Sequence, residues 1–126
     1  MIDNTKQIEI ETRAYFLPEQ SEPASNRYVF GYTITIRNTG NVPAKLTHRH
    51  WHITDANGKV QEVHGEGVIG EQPYFNPGDS YEYSSGVMLE TPVGAMQGYY
   101  DMQATTGEHF TATVAPFGLA MPGSLH

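Results

Sequence analysis

His48-Arg49-His50-Trp51-His52 is the densest run of chemically capable side chains in the sequence. In an extended strand, residues two apart share a face, so His48, His50 and His52 line up on one side. Imidazole nitrogens bind borderline divalent cations, which makes the three histidines candidate metal ligands. The rise is about 7 Å per two-residue step, so adjacent histidines can share an ion while all three cannot easily do so. A complete site needs a ligand from a neighbouring strand, and His64, Glu62 or His109 are the side chains to supply it. The plain alternative is a polar, solvent-facing row backed by a core-facing Trp51. Arg49 falls on the Trp51 face, where a guanidinium needs carboxylate or carbonyl partners. Its expected role is to organise backbone carbonyls of the nearby glycine loop or to sit at the sheet rim.

That loop, Gly65-Glu66-Gly67-Val68-Ile69-Gly70, spells G-x-G-x-x-G. The pattern signals dinucleotide binding only where a strand leads into it and a helix opens on it. Here Glu71-Gln72-Pro73-Tyr74-Phe75-Asn76-Pro77-Gly78 follows, and two prolines and a glycine forbid a regular helix. Gly65, Gly67 and Gly70 are therefore read first as a tight connection needing positive φ and close backbone approach. As ligand-binding candidates they would offer amides to an anion. The loop carries Glu66 and Glu71 and no lysine, which disfavours phosphate. There is no nucleophile elbow, no metalloprotease helix and no carboxylate pair spaced for acid–base work.

The elements that hold these residues are strands. Ile8, Ile10, Thr12, Ala14 and Phe16 alternate with Glu9, Glu11 and Arg13 over 7–16, and Glu19 to Asn26 is a loop. Tyr28 to Arg37 alternates most clearly, with Asn38-Thr39-Gly40-Asn41 ending it. Ala44 to Thr54, the Asn57-Gly58 turn and Lys59 to His64 form a hairpin. Ser80 to Ser84 follows, continuing over Gly86 to Glu90 across a bend. Gly98 to Thr105 and Glu108 to Val114 form the last hairpin, with Phe110, Ala112 and Val114 inward and a loose tail from Pro116 to His126. Seven or eight short strands without a helix predict an all-β, antiparallel β-sandwich, with a small barrel as the alternative.

At 126 residues the chain is expected to be a single domain spanning 1–126. It has no cysteine, which excludes disulfides and thiolate chemistry. Seven basic and fourteen acidic side chains give a net charge of −7, which opposes nucleic-acid binding. No signal-peptide pattern occupies Met1 to Gln7 and no apolar run is long enough to insert in a membrane, so a cytoplasmic location is expected.

Ordered motifs run through nearly the whole chain: Arg49-His50-Trp51, Asp55-Ala56-Asn57-Gly58-Lys59, and Val63-x-Gly65-x-Gly67-Val68-x-Gly70-Glu71-Gln72-Pro73. Beyond them come Pro77-Gly78, Tyr83-x-Ser85-Gly86, Pro92-x-Gly94-x-Met96-x-Gly98-x-Tyr100-x-Met102 and Pro116-Phe117-x-Leu119. Together they resemble the bacterial ApaG (CorD) family. His48 and His52 are not part of that pattern. The resemblance implies a fibronectin type III-like (immunoglobulin-like) sandwich and no established enzymatic activity or cofactor. It also implies a link to cobalt resistance and magnesium efflux, and genes beside a diadenosine-tetraphosphate hydrolase. Related domains in eukaryotic F-box proteins and a polymerase-delta-interacting protein look like protein-interaction modules. The function expected is a non-enzymatic binding module acting through protein–protein contacts, with a protein partner or a second copy as a homodimer. The alternatives are divalent-cation (Co/Mg) binding at the histidine row and nucleotide or pyrophosphate binding at the glycine loop.

Overall fold

In a computed structural model that describes residues 7–124, eight strands build two antiparallel sheets packed face to face. In chain order they are β1 (Ile8–Phe16), β2 (Tyr28–Asn38), β3 (Ala44–Asp55), β4 (Val60–Glu66), β5 (Tyr74–Phe75), β6 (Ser80–Leu89), β7 (Val93–Ala104) and β8 (His109–Ala120). One sheet runs β1-β2-β6, the other β4-β3-β7-β8, with β5 pairing the start of β3. This is the expected sandwich rather than the barrel. The loop between β1 and β2 contains two short 3-10 turns, Pro18–Gln20 and Pro23–Ser25, each opened by a proline whose fixed φ suits that place. Among the described residues no helix is long and apolar enough to cross a membrane.

The core fills the space between the sheets. Phe30, Ile34 and Ile36 from β2 meet Leu46, Trp51 and Ile53 from β3 and Met96, Tyr100 and Met102 from β7, all buried. β2 is buried on its other face too. The Tyr15 ring lies across Gly31, where a Cβ would stand 2.3 Å from Cε2 and push the ring aside.

Two irregularities decide which side chains face the core. Leu46 pairs with Met102 but His48 pairs with Asp101, so Thr47 is an extra residue on β3. This bulge reverses the alternation: Ala44 and Leu46 point inward before it, and Trp51, Ile53 and Asp55 after it. On the other edge, Gly98 pairs with Val114 and Met96 with Phe117, which places an extra residue on β8 around Ala115 and Pro116. Ala112 and Val114 are therefore buried together with Leu119.

Several expected boundaries move. The tail expected to be loose from Pro116 is the second half of β8 as far as Ala120; its last two residues, Leu125 and His126, lie outside the described residues. The bulge keeps Phe117 and Leu119 in the sandwich, and Met121 N–H closes the end by donating to Pro92 O at 2.8 Å. β6 runs straight through Ser85-Gly86 without a bend, with Tyr83 and Leu89 buried on the same face. β7 begins at Val93, earlier than expected, because its first half pairs with the end of β3.

Candidate functional site

β3 presents different chemistry on each side. Its outward row is His48, His50 and His52, as the spacing requires, and the register sets Glu66, His64 and Glu62 of β4 opposite them. On the other flank stand Asp101, Tyr99 and Gln97 of β7. His50 is the centre. Its Nε2 lies 2.7 Å from Asp101 Oδ2, and its Nδ1 lies 2.7 Å from His64 Nδ1. With Asp101 accepting from Nε2–H, neutral His50 can only accept at Nδ1, so His64 donates there and keeps a bare Nε2 lone pair. The His50 ring also stacks on Tyr99 at a 4.3 Å centroid distance. The outer histidines turn elsewhere: His52 Nδ1 meets Glu62 Oε1 at 2.6 Å and His48 Nδ1 meets Thr47 Oγ1 at 3.1 Å. His109 lies on β8 with His48 around a separate shallow depression. Among the described residues no three His, Asp or Glu side chains stand in a metal-holding arrangement.

The inward face carries Arg49 and Trp51. Arg49 reaches the glycine loop as expected, Nη1 donating to Gly67 O at 3.0 Å and Glu66 O at 3.2 Å. Gly65, directly opposite on β4, makes this geometry possible. A Cβ there would stand 2.6 Å from Nη1 and 2.7 Å from Cζ. The guanidinium charge is felt by Tyr32, Tyr83 and Tyr100, lowering each phenol's pKa a little. Burial dominates and pushes all three upward, most strongly at Tyr100, whose hydroxyl sits 2.6 Å from that of Tyr83.

Trp51 is only 3% exposed and sits edge-on to Tyr32, Tyr100 and Phe117. Its Nε1–H is buried and has no acceptor among the described residues. Beside it a cleft of about 320 Å³ opens between β4 and β6, lined among others by Arg49, Gln61, Val63, Ser85 and Met88.

The glycine loop is a tight structural connection. Val68 and Glu71 exchange both backbone bonds, at 2.7 and 3.0 Å, around Ile69 and Gly70. Both central residues have positive φ, 49° and 74°, as a two-residue hairpin turn of the primed kind demands. Gly67, at φ 58°, lies so close to the chain that a Cβ would stand 1.9 Å from Glu71 O. Its amide donates to Thr47 O at 2.8 Å, and that of Val68 to Glu71 O. Those two N–H groups are therefore committed within the protein. Gly65, Gly67 and Gly70 thus have separate reasons to be glycine: room for a guanidinium, close backbone approach, and positive φ.

Reading single residues did not find Asp101, Tyr99, Ser85 or Gln61. They join the site through the pairing of β3 with β7 and the stacking of β6 across from β4, and no local pattern announces either.

The ApaG domain profile matches residues 18–104. The chain belongs to the ApaG family. It is 57% identical over 122 residues to Protein ApaG of Xylella fastidiosa (strain M12), a match covering 97% of this chain and 96% of that one. It is 60% identical over 119 residues to Protein ApaG of Aromatoleum aromaticum, covering 94% of each. Its fold is similar to the crystal structure described as an ApaA protein from Bordetella pertussis. The TM-score is 0.93 at 44% identity, with 96% of this chain and 98% of that one covered. The matched ApaG span begins at the first 3-10 turn and ends with β7. It contains both faces of β3 and the glycine loop, while β1 and β8 lie outside it.

Proposed function

We propose that this ApaG domain is a non-enzymatic, cytoplasmic binding module that receives a protein partner along the open side of its sandwich. The observation that carries this reading is the pair of free sheet edges on one side. β1 and β8 pack together at the opposite side, leaving β4 and β6 as the unpaired ends of their sheets among the described residues. Unpaired strands offer backbone donors and acceptors to an added strand. The lips of this side also expose apolar surface, with Val60 of β4 at 47% and Met88 of β6 at 43%. Gln61 Nε2 reaches across to Met88 O at 3.3 Å, and Lys59 pairs with Glu90, so the two edges form one continuous rim. The family's link to cobalt resistance and magnesium efflux indicates where to look for the partner. Affinity purification from the native cell is expected to recover a stoichiometric protein partner, and Met88→Lys to release it. Recovery of none, with a strictly monomeric solution state, rejects the reading.

A second reading draws on His50, His64 and Asp101. The bare Nε2 of His64, backed by an imidazole held by a carboxylate, suits a borderline divalent cation. Calorimetry with Co²⁺, Ni²⁺ and Zn²⁺ is expected to show binding tighter than about 1 mM that weakens in His50→Ala. Weaker affinity, or no change in the variant, removes it.

A further inference from the structure

We propose that β6 receives an extended segment of the protein partner as a fourth strand of its sheet. That segment carries an aromatic residue over Gly86, a basic residue opposite Glu82 and small aliphatic residues facing between the sheets. This rests on the partner reading above and specifies the edge used and the chemistry of the partner.

The first support is a mismatch between the two sheets. The three strands β1-β2-β6 face the longer series β8-β7-β3-β4, and β1 packs on β8. Counted across from that side, the smaller sheet ends before it covers β4. The inward side of β4, at Gln61, Val63 and Gly65, is accordingly only half-buried, although Val63 packs against the core. One more strand on β6 would lie over it. The cleft of about 320 Å³ opens at that place, with Val63 of β4 and Val87 of β6 among its walls. Two of its polar side chains are engaged within the chain, Ser85 with the Tyr32 hydroxyl and Gln61 with Met88 O. Val63 and Val87 are left as half-buried aliphatic surface for an incoming side chain.

The second support is the backbone of β6. Val29 O accepts from Leu17 N–H at 2.8 Å, so Val29 faces away from β6 and the alternate residues Phe30, Tyr32 and Ile34 face toward it. Their partners are Val87, Ser85 and Tyr83. Glu82, Ser84, Gly86 and Met88 therefore point their backbone groups away from β2. Met88 O does so visibly, accepting from Gln61 Nε2 on the β4 side. Glu82, Ser84 and Gly86 thus present N–H and C=O groups at the spacing of an antiparallel ladder.

The third support is Gly86. It sits mid-strand without a positive φ, and a Cβ there would meet only Phe30 O, at an ordinary 3.5 Å. The fold itself does not require glycine here. Gly94 and Gly98 of β7 are hemmed in by backbone of β3, and Gly118 follows the β8 bulge. A bare stretch of edge strand suits close approach by another chain. The same sheet shows how such a stretch is covered: Gly86 pairs with Gly31, and the Tyr15 ring lies across Gly31. An aromatic residue on an added strand would cover Gly86 in the same way. Exposed Glu82, in a chain of net charge −7, favours a basic residue opposite it.

The probe is the peptide acetyl-TVYVTVK-amide, whose Y, T and K fall opposite Gly86, Ser84 and Glu82 in an antiparallel register. We expect it to shift the amide resonances of those three residues together and to slow their hydrogen exchange about tenfold, saturating by about 2 mM. Acetyl-TVYVPVK-amide, which lacks the N–H facing Ser84, is expected to bind about tenfold more weakly. Gly86→Pro removes an edge N–H that the fold does not use, and is expected to fold and to weaken the first peptide about tenfold. Should it fold poorly, Glu82→Lys is expected to reverse the preference for TVYVTVK over TVYVTVE. Amide shifts that are absent, or that fall on Glu62 and His64 of the β4 edge, overturn the inference. Equal binding of the proline peptide also overturns it. A native partner held equally well by Gly86→Pro overturns it and leaves the partner reading standing. Recovery of no native partner rejects that reading, while the peptide titration still decides the edge.

Discussion

Trp51→Ala is expected to lower the folding free energy by about 3–5 kcal/mol. The indole is almost wholly buried and touches both sheets: Tyr32 at 5.7 Å belongs to β2, and Tyr100 and Phe117, each at 6.0 Å, belong to β7 and β8. Alanine would remove contacts from three strands at once, and the surrounding strands cannot collapse onto it because their spacing is fixed by backbone pairing. Against a typical total of about 5–15 kcal/mol, such a loss leaves a marginal protein. Urea denaturation followed by far-ultraviolet circular dichroism measures it as a shift in midpoint at constant slope. A loss under about 1 kcal/mol would show that the indole is not the hub between the sheets.

Gly98→Ala is expected to be nearly as damaging, by a different mechanism. A Cβ at Gly98 would stand 1.9 Å from His50 O and 3.0 Å from His50 C. The obstacle is backbone of the neighbouring strand rather than a flexible side-chain tip, so β3 and β7 must move apart where they pair. Overpacking usually costs about 1–3 kcal/mol, and this site belongs at or beyond the upper end. Gly118→Ala on β8 supplies the contrast, because nothing lies within 4 Å of its Cβ position. It is expected to stay within about 0.5 kcal/mol of the parent. If the two variants melt together, close strand approach does not explain Gly98.

Much of this architecture could be read from alternation. β1, β2 and the part of the β3–β4 hairpin beyond Thr47 appear in the sequence because each has a regular pleat and ends in a recognisable turn, Asn57-Gly58 above all, where Gly58 takes φ 82°. The bulges were not visible. Nothing in Leu46-Thr47-His48 marks an extra residue, and a strict period of two would have put Ala44 and Leu46 on the histidine side. The same holds near Pro116, where an unseen bulge made a strand look like a tail. The two-residue β5 is too short for any pattern.

The histidines and Arg49 were placed on the right faces because both lie on one side of the Thr47 bulge. What lies opposite them was hidden. Asp101 and Tyr99 reach His50 only through antiparallel pairing of residues about fifty positions apart, which a local reading cannot supply. The cleft beside Trp51 depends on which strands end up as sheet edges, a property of the whole topology.

The extra residue at Thr47 works as a change of frame within a single strand. Before it, even-numbered side chains belong to the interior; after it, odd-numbered ones do. Flatten the bulge while keeping Thr47 in the chain and no single frame serves both halves. Either Ala44 and Leu46 are turned out to solvent, or Trp51 and Ile53 are, with the imidazoles taken inside in their place. Beyond the bulge, ordinary alternation lets five consecutive residues serve two separate surfaces. His48, His50 and His52 are displayed to the outside while Arg49 and Trp51 address the space between the sheets. A cation held by the outer row would thus bear on a stretch of chain whose alternate residues fill the space between the sheets.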